Sequence, residues 1–283
     1  MAENELSRRA FLKYSGSALL LAAPVALPLG TLGASAKRGF VDLFDGKTLS
    51  GWHTNTDKIS HGTGGRWQVV DGAITGEQDP PGSGNGGILM TDKRYGDFEL
   101  RLDLAPDWGI DSGVFLRTNN RGECFQIYVD YRNGGQVGYI STERADGKPR
   151  MFIRPFYIDG IHNTQGELTG FETKPDPREL AWQSGYLRYH CTPEQWKKAW
   201  KIGEWNSMRI RCVGKYPRIT TWINGTKIIQ FDSATSSHPL NKKDELLEAL
   251  GREGAIGLQV HGGKGSWPNG AKCRWKNIQI KEL

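Results

Sequence analysis

The chain has 283 residues, enough for one large domain or two small ones, and its body holds no uninterrupted apolar run of the eighteen or so residues that a membrane-crossing helix needs. Thirty-seven glycines, with 10 Trp, 9 Tyr and 10 Phe in a chain that is 37% hydrophobic, describe a turn-rich globular protein and exclude a disordered chain or a helical bundle. The net charge is +6, but 31 acids are interspersed among 37 bases, so charge alone does not point to nucleic acid.

Ser7-Arg8-Arg9-Ala10-Phe11-Leu12-Lys13 precedes an apolar stretch from Ser17 to Leu32, and Ala34-Ser35-Ala36 supplies a small-residue cleavage pattern. Residues 1–36 therefore resemble a twin-arginine export signal. The mature part, 37–283, is expected to be a single domain delivered to the periplasm or beyond, with the twin-arginine translocase as its partner during export. Substrates of that route cross the membrane folded, which makes a metal loaded in the cytoplasm a candidate cofactor.

Gly82-Ser83-Gly84-Asn85-Gly86-Gly87 follows Pro80-Pro81 and leads into Ile88-Leu89-Met90 and not into a helix, so it reads as a mobile loop and not as a phosphate cradle. Apolar residues hold every second place in Phe98 to Leu104 and in Phe125 to Asp130. Met208 to Cys212, Ile219 to Ile223, Ile256 to His261 and Cys273 to Ile280 repeat the pattern. Asp45-Gly46, Asp71-Gly72 and Asn224-Gly225 mark turns between them. The stretch from Arg132 to Ala181 is rich in Gly, Pro and charge and weakly periodic; long decorating loops are expected there, with one short hairpin around Met151 to Ile158. Two short helices are expected, one capped by Thr192 with Pro193 at its first position, the other capped by Asn241 and closed by Gly251. Many short strands with few helices predict an all-β jelly-roll sandwich with long loops.

Cys124, Cys191, Cys212 and Cys273 have no zinc-site spacing; Cys212 and Cys273 fall on apolar phases and read as buried thiols. No Gly-x-Ser-x-Gly, Walker or His-Glu-x-x-His motif is present. The residues that suggest chemistry lie on polar phases of strands: Gln126, Tyr128 and Asp130 share one face, as do Gln259 and His261. With Arg117 after Ser112-Gly113-Val114-Phe115-Leu116, these groups could line a carbohydrate cleft, aromatic rings stacking on sugar C–H faces and polar groups binding hydroxyls. Trp67 and Trp222, inside alternating strands, are expected to pack in the core, whereas Trp182, Trp196, Trp200 and Trp267, in loops or helices, are the expected cleft tryptophans.

The motifs Phe40 to Trp52, Trp67-Gln68-Val69-Val70-Asp71-Gly72, Tyr95 to Leu100, Asp111 to Arg117, Gly203-Glu204-Trp205-Asn206, Trp222-Ile223-Asn224-Gly225, Gly257 to Gly262 and Lys276 to Lys281 occur in an order that resembles the 3-keto-disaccharide hydrolase domain family. The resemblance spans nearly all of 40–283 and implies a concanavalin-like sandwich acting on 3-keto-glycosides: a base removes the proton on C2, the C1 substituent is eliminated, and water adds back. It implies Asp130 and His261 as base or as ligands of a divalent cation, Arg117 as oxyanion stabiliser, and Gln126, Tyr128, Gln259, Trp182 and Trp267 as substrate contacts. The sequence departs from the family pattern at Asp111, where Asn is usual, and at Cys124, where a Glu-x-Gln motif is usual and Glu123 stands one place off. A non-catalytic, lectin-like module is the alternative reading.

Overall fold

The computed structural model describes residues 39–54, 61–62, 64–145, 149–176 and 185–283. The expected export signal and Trp182 lie outside the described residues. In chain order the strands are β1 (Val41–Asp42), β2 (Trp52–Thr54), β3 (Arg66–Val70), β4 (Ala73–Glu77), β5 (Gly87–Thr91), β6 (Phe98–Pro106), β7 (Gly113–Thr118), β8 (Cys124–Asp130) and β9 (Gln136–Glu143). They continue as β10 (Phe152–Ile153), β11 (Phe156–His162), β12 (Leu168–Pro175), β13 (Tyr189–His190), β14 (Asn206–Val213), β15 (Arg218–Ile223), β16 (Thr226–Asp232), β17 (Ala255–Val260) and β18 (Cys273–Glu282). The helices are α1 (Pro193–Ala199) and α2 (Lys243–Leu250).

One antiparallel sheet runs β13-β16-β15-β14-β6-β18-β4-β3, with β1 on β18; the second runs β10-β9-β8-β7-β17-β5-β2. Their facing apolar phases form one core, in which Leu100, Leu102, Ile210 and Ile280 of the first sheet meet Val114, Ile127, Leu258 and Val260 of the second. This is the all-β sandwich that the alternation predicts. The hairpins at Asp71-Gly72 and Asn224-Gly225 are made by residues with φ of 50° and 74° and of 47° and 82°, the left-handed pair that suits the strand twist.

The two sheets differ in what covers their other faces. β6, β14 and β18 alternate buried with part-exposed residues, but β5, β7, β8, β9 and β17 are buried at every position. A second apolar cluster of Ile88, Met90, Phe115, Cys124 and Ala255 sits on the far side of the second sheet from the main core. The polar phases of β8 and β17 are thus enclosed.

Helix α1 begins as expected: Thr192 Oγ1 accepts from the Gln195 amide while the Gln195 side chain accepts from the Thr192 amide. Helix α2 begins one residue later than expected, without a side-chain cap, because Asn241 donates its amide to Ser233 O and Ser236 O. The described residues of 132–176 hold more regular structure than their composition implies. They contain β9, and their hairpin joins Phe156–His162 to Leu168–Pro175, not Met151 to Ile158. The glycine-rich loop at 82–87 is packed: Gly263 N donates to Gly84 O at 2.7 Å, and Gly84 N to Gln78 Oε1 at 2.9 Å. All four cysteines are free and buried.

Candidate active site

The face of the second sheet away from the main core carries a cavity of about 300 Å³. Gln126, Tyr128 and Asp130 of β8 line it, as does His261, one residue past β17. Strand parity places them there: Phe125, Ile127 and Val129 fill the core from the same strand. Gln126 reaches across β7 to Gln259 on β17, its Nε2 donating to Gln259 Oε1 at 2.8 Å. That crossing requires Gly113 beneath it, because a Cβ there would stand 2.4 Å from Gln126 Nε2. The glycine of Asp111-Ser112-Gly113 is therefore a bridge site for the Gln126 side chain.

A directed chain of hydrogen bonds runs under the cavity. Ser141 Oγ donates to Gln126 Oε1 at 3.0 Å, Gln126 donates to Gln259, and the Gln259 amide nitrogen lies 3.2 Å from both ring nitrogens of His61. His61 Nε2 lies 3.5 Å from Glu143 Oε2, which also accepts from Arg150 at 2.8 Å. With every side chain but Arg150 nearly inaccessible to water, this chain fixes amide and imidazole orientations that would be free on a surface. Burial raises the Glu143 carboxyl, but His61 and Arg150 outweigh it and hold the group below its ordinary value. Glu143 is the register partner of Cys124. The rung on which the resemblance expects a glutamate at 124 thus carries its carboxylate from the opposite strand, whereas Glu123 turns to Asn119 and Arg144 away from the cavity.

At the other end of the cavity, Arg132 bridges two carboxylates, donating Nε to Asp130 Oδ1 at 2.6 Å and a terminal nitrogen to Asp111 Oδ2 at 2.9 Å. Arg154 approaches Asp130 Oδ2 at 3.8 Å and donates to Gly134 O at 2.7 Å. Burial, reinforced by the charge of Asp111, lifts the Asp130 carboxyl to about 8 against the pull of both guanidiniums. His261 moves the other way: burial, with the neighbouring His61 ring at 4.7 Å, lowers it despite the opposing charge of Asp111. Its Nδ1 contacts Gly262 O, and because a carbonyl only accepts, Nδ1 carries the proton and Nε2 keeps its lone pair. Burial also drives the Tyr128 phenol well above its ordinary value, and Tyr128 stacks on Phe152 at 6.4 Å.

The other expected site residues lie elsewhere. Arg117 is 1% exposed and ties Gly96 O and Asp97 to the end of β7, away from the cavity. Its φ of 51°, opposite the irregularity where β17 meets β7, turns it off the strand's polar phase. Trp267 is a core residue whose Nε1 donates to Ala271 O at 2.7 Å. Trp196 and Trp200 are also core residues, stacked at 5.7 Å, because α1 packs on the sandwich. The guanidiniums of the cavity are Arg132, Arg150 and Arg154, from the stretch whose composition reads as loops. Their only trace in the sequence is the Asp130-x-Arg132 alternation. Among the described residues no group of three His, Cys, Asp or Glu is placed to hold a metal ion, and Asp130 is engaged by Arg132.

A curated relative, 3-keto-disaccharide hydrolase of Bacteroides thetaiotaomicron, is 24% identical over 179 residues, 61% of this chain and 52% of that protein. The chain thus spans about half the length of the curated relative it matches. Among solved structures, a candidate glycosyl hydrolase from Parabacteroides distasonis superposes with a TM-score of 0.48 at 19% identity, covering 87% of this chain and 94% of that one. A carbohydrate-binding module from Bacillus subtilis gives 0.46 at 12%, covering 83% and 98%. Residues 39–281 match the 3-keto-alpha-glucoside-1,2-lyase-like domain, and the chain belongs to that family.

Proposed function

We propose that this protein cleaves 3-keto-glycosides by eliminating the C1 substituent, in the compartment beyond the cytoplasmic membrane. The observation that carries the reading is the opposed pair on one cavity: Asp130, lifted to about 8, is protonated at neutral pH, while His261, lowered, is neutral and holds a free lone pair. Environments that push two titratable groups apart assign the acid and the base. His261 Nε2 takes the proton from C2. The electron pair of that C–H bond moves into the C2–C3 bond, and the charge that develops on the C3 oxygen faces the guanidiniums of Arg132 and Arg154. Expulsion of the C1 oxygen, protonated by Asp130, leaves a C1–C2 double bond, and water added across it gives the hydrolysed sugar. Gln126 and Tyr128 orient hydroxyls. Side chains alone supply every step of this scheme.

The twin-arginine motif at Arg8-Arg9 supports the export part of the reading. The test is release of aglycone from a 3-keto-glucoside by the purified protein and by its His261→Ala and Asp130→Asn variants. Both variants are expected to lose about a hundredfold or more in turnover, as general acid–base groups do, while retaining the melting temperature of the parent within a few degrees. Binding of the ketosugar without turnover by the parent would establish the lectin-like module instead.

A further inference from the structure

The outer face of the first sheet bears a feature unrelated to the cavity above. Register pairs Lys227 with Trp222, Trp222 with Arg209, Arg209 with Arg101, and Arg101 with Gln279. These five residues form a row perpendicular to the strands, about 19 Å long at the usual inter-strand spacing. Trp222, expected from its strand to be a core residue, faces outward here, part-buried, with the Arg209 guanidinium 3.8 Å over its ring. It lines two grooves, of about 450 and 640 Å³.

The charge on this face is unbalanced in a specific way. Glu99, 14% exposed, lies beneath three arginines, with Arg101 at 3.3 Å, Arg211 at 3.6 Å and Arg209 at 3.8 Å. Asp232, 5% exposed, is shared by Arg188 at 2.8 Å and Arg218 at 3.1 Å. Five guanidiniums thus sit on two largely covered carboxylates, while the guanidiniums themselves are 40–57% exposed. Each carboxylate positions its arginines without neutralising them, and planar N–H pairs are left facing solvent. Gln230, between the two arginine groups and resting on the buried Thr220 hydroxyl, offers a neutral amide to the groove.

We infer that this face is a second binding site, for a linear polyuronate. Uronate carboxylates match the forked arginines, sugar C–H groups match the exposed part of the Trp222 indole, and sugar hydroxyls match Gln230. A single-stranded nucleic acid fits less well, because its bases need successive stacking rings and Trp222 is the one ring that lines both grooves. The site is independent of the keto-sugar chemistry and would hold the protein on an acidic glycan.

The test is affinity electrophoresis of the full chain in gels containing polygalacturonate, dextran or oligo-dT. Retardation by polygalacturonate is expected, with little by dextran or oligo-dT. Trp222→Ala is expected to weaken it about tenfold, and Arg211→Gln, at an exposed position that leaves folding undisturbed, by a similar factor. Aglycone release should not change in either variant. Absence of retardation, retardation equal in Trp222→Ala and Arg211→Gln to that of the parent, equal retardation by dextran, or stronger retardation by oligo-dT would each overturn the assignment.

Discussion

Gly86 tests whether the packed 82–87 loop holds His261 in place. An alanine Cβ at 86 would stand 2.1 Å from Val260 O and 2.7 Å from both Gly262 N and His261 C, all backbone atoms that no rotamer change can remove. Ordinary carbon contacts begin near 3.4 Å, so the end of β17 must retreat by about 1.3 Å, in an interior too dense to absorb it locally. Overpacking of this kind costs about 1–3 kcal/mol, and in a domain of this size each of those lowers the melting temperature by about 2–4 °C. The larger effect falls on catalysis. His261 Nδ1 is hooked to Gly262 O within the displaced segment, and a shift of about 1 Å at a reacting group costs about a hundredfold in rate. Gly265→Ala, in the segment that follows His261 and with open space at its Cβ, is the control and should alter neither quantity. Thermal melts and aglycone release read both terms. A Gly86→Ala protein with parental turnover, or a Gly265→Ala protein equally damaged, would refute the proposed coupling of the loop to His261.

Turnover against pH is expected to be bell-shaped, with its acid limb below the ordinary histidine value of 6.5, where His261 takes up a proton, and its basic limb near 8, where Asp130 ionises. Arg132→Met removes a guanidinium that favours the ionised Asp130 and should move the basic limb upward; a downward move rejects the assignment of that limb. Because the folded Asp130 carboxyl is raised, its contribution to stability is complete below the ordinary value of 3.8 and is lost as pH climbs through about 8. Melting temperatures should therefore fall across that interval in the parent and fall less in Asp130→Asn. Gln126→Leu leaves Gln259 Oε1 without its buried donor and should cost about 1–3 kcal/mol in a urea titration; an unchanged midpoint would mean that the hydrogen-bond chain is not formed. Replacing Arg8 and Arg9 together by Lys should hold the precursor in the cytoplasm, and unaltered export would remove the twin-arginine assignment.

Strands with one wet face declare themselves in the sequence. β6, β14 and β18 alternate because solvent meets every second residue, and their limits were readable to within a few positions. β9 did not, because both of its faces are covered: Gln136, Ser141 and Glu143 are buried polar groups satisfied by partners far along the chain, so their polarity imitates a loop. Asn241 fails for a related reason. An amide cap and an amide loop clamp use the same atoms, and only the position of Ser233 and Ser236 decides between them.

The same reasoning separates the legible part of the site from the rest. Parity assigns Gln126, Tyr128, Asp130 and Gln259 to one face because each lies inside a regular strand, and it misassigns Arg117 because φ turns positive there and the alternation ends. Tryptophans in short connections look available for ligands, yet Trp196, Trp200 and Trp267 close the sandwich core, because large rings are the most effective cover for it. What periodicity could not supply is the chemistry itself. Asp130 and His261 are equivalent candidates on paper, and they acquire opposite protonation preferences only when the polar sheet face is enclosed and Asp111 is brought beside Asp130 through Arg132. The enclosure comes from segments with no period at all, which contribute Arg150, Phe152 and Arg154 to the cavity wall. Local pattern thus carries which residues face the cavity, and the non-local packing of irregular chain over that face determines which way the carboxyl of Asp130 and the imidazole of His261 are shifted.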